Sequence, residues 1–295
     1  MRTEFERLYP VFWKSWRKSL DEAFDGCAED DQAMYAGTTH FNHKRFAEAE
    51  ADYKRALELR SGPDGSAKSK KAGNALHSLG AAVEKQERPE EAVDWYRKAF
   101  ENRKSTRPPD DFDVFRSMRG AAELLQKEGK IEEAVALVDD YAAHYRGGLT
   151  KDNRGLAWAE NLRGDLLFRE GRHEEALGAY TKALDIMRNV IGPSKYSLAR
   201  YWHNIGKADG KLGKWDDARK AHDEAFKIRK EILSRYDPDY ADTLLGLAEC
   251  DEKQGKSDDA LKKAQEALSI YEFQPEPDAE AIARTRDVLN RLTAN

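Results

Sequence analysis

Six alanines, Ala49, Ala92, Ala134, Ala176, Ala218 and Ala260, recur at intervals of 43, 42, 42, 42 and 42 residues. A chain closing around one core has no reason to keep such a beat across most of its 295 residues. A stack of like helical pairs does, because each pair hides its apolar face only against the next pair. The beat therefore predicts an all-α repeat protein. It also moves the search for function from a central cavity to the surfaces of the stack.

Each repeat reads as an apolar-periodic helix, a short turn, and a second helix with the small residue and an aromatic four positions later. The second repeat gives Leu76, Leu79, Gly80, Val83, then Ala92, Tyr96, Ala99 and Phe100. The fourth gives Leu162, Gly164, Leu167, Gly171, Ala176, Tyr180, Ala183 and Leu184, and the fifth Trp202, Ile205, Gly206, Gly213, Trp215, Ala218, His222, Ala225 and Phe226. Spacings of three, four and seven are those of helix faces. Gly37, Gly80, Gly164 and Gly206 mark first helices that must be approached closely, with Tyr53, Tyr96 and Tyr180 filling the space beside them. The third repeat departs from this text: Ala122 stands for the glycine, with Gly120 nearby, and Val138 and Tyr141 for the aromatic and alanine. The sixth takes the smaller residue at both places, Ala248 and Ala264.

These residues resemble the tetratricopeptide repeat. The repeat length, Ile191-Gly192-Pro193, Leu198-Ala199 and Asn204-Ile205-Gly206 are similar to its longer variant, found in kinesin light chains and many bacterial proteins. The resemblance covers about residues 30–272 and implies a right-handed α-solenoid of six helix-turn-helix repeats. It is specific for fold and weak for function, because the matching residues are packing residues.

By length alone the chain would divide into two ordinary domains; the repeat favours one elongated domain instead. The expected bounds are an N-terminal helix over 1–29, six repeats over 30–272 and a capping helix over 273–295. Apolar residues make up 40%, enough for a continuous core, and charged residues 36%, suited to a large surface. Pro63, Pro108, Pro109, Pro193 and Pro238 fall between repeats, whereas Pro89 stands at a helix start, where its missing N–H costs nothing. The net charge of −5, with no basic tail, argues against a dedicated nucleic-acid binder. Cys27 and Cys250 lie far apart and read as free thiols in a reducing compartment. Arg2, Glu4, Glu6 and Arg7 interrupt any secretory apolar region, and no apolar run approaches the ~20 residues that cross a bilayer. A cytoplasmic location is expected.

Outside the repeat, Phe12, Trp16, Leu20 and Phe24, flanked by Trp13 and Ala23, form an aromatic helical stripe. Three roles fit it: a cap on the first repeat, an anchor for a partner or for self-association, or a membrane-surface helix. At the other end, Gln274-Pro275-Glu276-Pro277 stops the last repeat. A helix from Asp278 to about Leu292 then sets Ile282, Val288, Leu289 and Leu292 against the sixth repeat, with Glu280, Arg284, Arg286 and Arg291 toward water.

Catalytic constellations are missing. His173-Glu174 begins like a zinc-protease motif, but Leu177 stands where the second histidine belongs. Gly206 to Lys211 is one residue short of a phosphate loop, and Leu212 replaces its Ser or Thr. His40 and His43 sit one helical turn apart without a third ligand nearby. The chain is expected to be no enzyme and to need no cofactor or metal.

The resemblance implies that first helices line a concave face, with five positions each. The first two repeats supply Asp31, Met34, Thr38, Phe41 and Asn42, then Asn74, His77, Ala81, Glu84 and Lys85. The third supplies Arg116, Arg119, Glu123, Gln126 and Lys127, and the fourth Trp158, Asn161, Asp165, Phe168 and Arg169. The fifth supplies Arg200, His203, Lys207, Gly210 and Lys211, and the sixth Asp242, Leu245, Glu249, Glu252 and Lys253. Repeats three to five thus set seven basic residues against Glu123 and Asp165. Such a wall favours an acidic ligand. Trp158 and Phe168 offer apolar anchors, and Asn161 a partner for a peptide backbone.

The expected role is a non-catalytic protein–protein interaction module, scaffold or adaptor, binding an extended acidic peptide or C-terminal tail through Arg116, Arg119, Lys127, Trp158, Asn161, Phe168, Arg169, Arg200, His203, Lys207 and Lys211. The tetratricopeptide clamps that hold chaperone tails use lysine and asparagines where this chain has Met34, Thr38, His77 and Ala81, which argues against that role. Two other readings remain: a peptide-responsive regulator that changes curvature, and a single-stranded RNA binder with steep salt dependence.

Overall fold

Thirteen helices and no strand make up the described residues, 28–62, 67–148 and 153–294, of this computed structural model. In chain order they are α1 (Glu29–Asn42), α2 (Phe46–Arg60), α3 (Lys70–Glu84), α4 (Pro89–Thr106), α5 (Phe112–Lys127), α6 (Ile131–Gly147) and α7 (Arg154–Arg169). They continue with α8 (His173–Arg188), α9 (Lys195–Lys211), α10 (Trp215–Ile232), α11 (Pro238–Lys253), α12 (Ser257–Glu272) and α13 (Ala279–Thr293). The fold is an all-α repeat solenoid. Within α1–α2, α3–α4, α7–α8, α9–α10 and α11–α12 the two helices of a repeat pack together, and α2, α8 and α10 also pack on the next first helix. The chain divides into two units, residues 1–125 and 126–295, the division falling inside α5. The N-terminal aromatic stripe, Phe12, Trp13, Trp16, Leu20 and Phe24, and Cys27 lie outside the described residues.

The six alanines are fully buried, each at 0% exposure, as helix crossings require. The glycine–aromatic pairs are the reason the crossings are tight. A β-carbon at Gly37 would sit 2.6 Å from the Tyr53 ring, at Gly80 2.8 Å from Tyr96, and at Gly206 2.7 Å from His222. Gly164 lies against Tyr180 in the same way. In the third repeat the aromatics have slipped along the helix: buried Tyr141 and Tyr145 press on Gly155 of the following first helix.

Every second helix opens with acidic residues in its first turn, from Glu48 in α2 through Glu90 and Glu91 in α4 to Asp258 and Asp259 in α12. Carboxylates there offset the positive end of the helix dipole. None of these helices has a side-chain N-cap. Among first helices, α3, α9 and α11 are capped by Ser69, Ser194 and Asp237.

A feature with no apolar signature ties repeats together. Arg60, Arg103 and Arg229 share one repeat position at the end of a second helix. Arg60 donates to the Lys71 carbonyl at 3.0 Å, Arg103 to the Asp113 carbonyl at 2.8 Å, and Arg229 to the Asp239 carbonyl. Each carbonyl belongs to the first turn of the next first helix. Arg103 also donates to Ser117 Oγ and Arg229 to Thr243 Oγ1, each at 2.6 Å. Burial pulls the Arg103 guanidinium down to about 10. Repeats three and four fill this position with buried Tyr145 and Met187 instead.

Helix α13 closes the C-terminal unit. Asp278 caps it, buried Val288 and half-buried Ile282, Leu289 and Leu292 join the cluster of Tyr240, Leu244, Leu245, Ile270 and Tyr271. Its arginines do more than face water: Arg286 pairs with Glu272 at 2.7 Å and Arg291 with Glu252 at 2.9 Å.

Candidate functional site

In the C-terminal unit, α7 carries Trp158, Asn161, Asp165, Phe168 and Arg169 at helical spacing, so they share one face. Helix α9 offers Arg200, Asn204, Lys207 and Lys211 on the facing stripe. The stripes are joined by a polar seam. Asn204 Nδ2 donates to Asn161 Oδ1 at 3.0 Å and to Asp165 Oδ1 at 3.2 Å. Asn161 Nδ2 donates to Asp165 Oδ2 at 2.9 Å, and the Tyr180 hydroxyl of α8 to Asp165 Oδ1 at 2.9 Å. Gln126 Nε2 donates to the Asp165 carbonyl at 3.4 Å. Burial pushes the Asp165 carboxyl up, against the Tyr180 bond and the fields of Arg200, Lys207 and Arg169. Asp165 is thus held as the floor of the seam, hydrogen-bonded to Tyr180, Asn161 and Asn204 and within the field of Arg200, Lys207 and Arg169.

The cations themselves stand without carboxylate partners. Among the described residues none of Arg169, Arg200 and Lys207 lies within ion-pair distance of an acidic group. Lys207 Nζ lies over the Phe168 ring, 5.1 Å from its centre, and Arg200 over Tyr201 at 5.7 Å. Burial, and then the charge of Arg284, pulls the Lys207 amine down. Lys211 is exposed at the end of α9. Arg284 of α13 stands 3.7 Å from Asp242, which also accepts the Tyr271 hydroxyl.

Two of the expected peptide-binding residues are buried: Asn161, 2% exposed, is consumed by the seam, and His203, 7% exposed, packs on His222 with ring centres 5.2 Å apart. His222 is wedged between repeats, since a β-carbon at Gly246 would meet its ring at 2.6 Å. Burial pulls His203 well below its usual range and His222 to about 3.

Arg116 and Arg119 belong to the N-terminal unit, where they are paired at home. Arg116 meets Asp113 at 3.0 Å and Arg119 meets Glu123 at 3.5 Å. His77 accepts or donates at Ser117 Oγ, 3.3 Å away, and burial followed by Arg103 pulls it to about 3. The Tyr96 hydroxyl donates to Glu84 at 2.9 Å. Lys127 is exposed at the end of α5.

Sequence reasoning missed Asn204, Tyr180 and Arg284. For Arg284 the signal was present: it falls 42 residues after Asp242, so the capping helix keeps the beat of the first helices. The His40–His43 pair dissolves into separate contacts, His40 with Asp52 at 2.7 Å and His43 with the Thr39 carbonyl at 2.6 Å. No cluster of three or more His, Cys, Asp or Glu able to hold a metal occurs among the described residues. Cys250 is buried, which pushes its thiol up to about 12 and away from reactivity. No helix among the described residues is long and apolar enough to cross a membrane.

The family profile named Tetratricopeptide repeat matches residues 31–105, 71–147, 113–189, 155–231 and 197–273. The chain is a tetratricopeptide repeat protein. No curated protein matches it. Among crystal structures, this tetratricopeptide chain is similar to the nearly identical TPR-like repeats of a Podosopora anserina putative kinesin light chain, at 17% identity over 67% of this chain and 93% of that one, TM-score 0.54. It is also similar to BtubC (BKLC) from P. vanneervenii, at 15% identity over 85% and 96%, TM-score 0.60. The apo form of RapI matches at 14% identity over 91% and 85%, TM-score 0.59. At these identities the likeness is one of fold. A tetratricopeptide stack is a protein–protein interaction scaffold.

Proposed function

We propose that the chain is a non-catalytic scaffold or adaptor whose first-helix stripes hold an extended acidic peptide or the C-terminal tail of a partner. The observation that carries this reading is a set of cations, half-buried Arg200 and Lys207 and exposed Arg169, with no ion-pair partner among the described residues. The carboxylate in their field, Asp165, accepts from Tyr180, Asn161 and Asn204. Cations held in a low-dielectric wall gain more from an incoming carboxylate than cations in open water. Phe168 and half-buried Trp158 give the same stripe apolar contact area. The third repeat carries basic residues of its own, Arg116, Arg119 and Lys127. The proposed domain bounds are six repeats over 30–272 with 273–295 as cap.

The test is binding of labelled twelve-residue peptides, acidic against neutral, to the whole chain by fluorescence anisotropy. Acidic peptides are expected to bind, and Arg200→Glu with Lys207→Glu to abolish the binding. Unchanged affinity in that double variant at low salt would sink the reading. Equal binding of any polyanion, with a steep salt slope, would replace it with nucleic-acid binding.

A further inference from the structure

We infer that the seam between α7 and α9 is a subsite for a dianionic phosphate monoester, carried as a phosphorylated residue of the bound peptide. The inference rests on the acidic-peptide reading and names the acidic group. Asn204 fixes the geometry. It bonds to both Asn161 and Asp165, so it pins the α9 stripe to the α7 stripe at one point. Arg200 lies one turn before Asn204 and Lys207 one turn after it; Arg169 lies one turn after Asp165. Three cations from two helices therefore sit about one helical turn from the pinned residues, and none has a carboxylate partner among the described residues.

Charge stoichiometry selects the ligand. Asp165 is the one acidic side chain in the seam, and its oxygens accept from Tyr180, Asn161 and Asn204. Asp165, in whose field all three cations stand, answers one of them and a carboxylate of the ligand would answer a second, which leaves one cation over. A phosphate monoester brings about −1.5 to −2 charges and three acceptor oxygens. Arginine forks match phosphate oxygens in pairs, and lysine supplies a point charge beside them. The Phe168 ring, already under Lys207 Nζ, walls the place where the ligand's short carbon stem would lie.

The experiment uses the whole chain and a labelled seven-residue Gly/Ala peptide with central phosphoserine, glutamate or serine, followed by anisotropy at constant ionic strength. Phosphoserine is expected to bind at least about tenfold more tightly than glutamate at pH 7.5. The gap should shrink at pH 5, where the phosphate has become a monoanion. Free inorganic phosphate should displace the phosphoserine peptide with an affinity at least about tenfold weaker. Equal or tighter binding of free phosphate would overturn the assignment to a peptide-borne group. Lys207→Met keeps the apolar stem over Phe168 and is expected to erase the preference; Arg169→Gln, at an exposed position, is expected to reduce it severalfold without touching the fold. Equal affinity for glutamate and phosphoserine would overturn the phosphate subsite while leaving the acidic-peptide reading intact. A phosphoserine preference that survives in both variants would overturn its placement at this seam. Binding of none of the acidic peptides, glutamate included, would bring down both.

Discussion

The two units use the same repeat in the same register and spend their charges differently. In the N-terminal unit two cations of the first-helix stripe are paired along their own helix, Arg116 with Asp113 and Arg119 with Glu123. In the C-terminal unit Arg169, Arg200 and Lys207 have no such partner among the described residues, and the acidic residue of their stripe, Asp165, is engaged by Tyr180, Asn161 and Asn204. A net charge counted along a groove is therefore a poor guide to what that groove attracts. What matters is whether each charge is already answered by its i+3 or i+4 neighbour.

The sharpest way to break this contrast is to remove the floor. Asp165→Ala leaves the Tyr180 hydroxyl and two buried amides without their acceptor, and unsatisfied buried groups cost ~1–3 kcal/mol each, with partial relief from repacking. A loss of about 3 kcal/mol in denaturant unfolding is expected. The tyrosine acceptor of the N-terminal unit, Glu84, takes the Tyr96 hydroxyl, where Asp165 takes a hydroxyl and two amides, so Glu84→Ala is expected to cost about 1 kcal/mol. Equal costs would show that Asp165 is not withdrawn from solvent as described.

Charge reversal tests the same contrast through binding. Arg200→Glu with Lys207→Glu is expected to weaken an acidic peptide by ~100-fold, the scale of two or more well-placed charge contacts. Arg116→Glu with Arg119→Glu disturbs cations that already have partners, and surface pairs of that kind are worth ~0–1 kcal/mol. A loss below about fivefold is expected there. The reverse ranking in an anisotropy titration would move the site to the N-terminal unit.

The packing of this chain was legible because it repeats. Gly37, Gly80, Gly164 and Gly206 against their aromatics, and six buried alanines, follow from spacing alone. The site was legible only as a list of positions. Asn161 and His203 hold groove positions in the register, yet one is consumed by Asn204 and Asp165 and the other by His222. A polar side chain's partners lie one repeat away in sequence, and nothing in a single helix's pattern says which of two neighbours it will choose. The arginine ties of Arg60, Arg103 and Arg229 escaped for the same reason: they answer backbone carbonyls, which leave no mark in the sequence.

His222 sharpens the contrast from a titratable side. It occupies the position filled by Tyr53, Tyr96 and Tyr180 elsewhere, and burial, then Arg229, Lys207 and Arg219, hold its pKa at about 3 against an ordinary 6.5. A depressed histidine must stay neutral in the fold while the unfolded chain takes a proton. Its contribution is therefore fully present above about pH 6.5 and is lost as pH falls from there toward about 3. Asp165, with its raised pKa, has the opposite sign and adds stability as it protonates. The difference between wild type and His222→Tyr isolates the histidine: the variant is expected to lose roughly 1–2 kcal/mol less between pH 7 and pH 5. Parallel stability–pH curves would remove His222 from the account.

The smallest expected effect lies in the turns. One position in the turn of every repeat has a left-handed backbone, with φ between 58° and 79° at Lys44, Glu87, Gly129, Gly171, Gly213 and Gly255. The C-terminal unit fills its four with glycine, while the N-terminal unit fills its two with Lys44 and Glu87. A β-carbon in that conformation crowds the following carbonyl and costs about 1–2 kcal/mol. Glycine relieves it but gives back about 0.4–1 kcal/mol through the freer unfolded chain. Lys44→Gly and Glu87→Gly are each expected to raise unfolding stability by about 0.5 kcal/mol, and Gly171→Ala or Gly213→Ala to lower it by about the same. Neither change touches the first-helix stripes, so peptide affinity should hold. A destabilising Glu87→Gly would mean that the Glu87 side chain supports its turn by more than its backbone costs, and that the two units differ by selection at this position and not by tolerance.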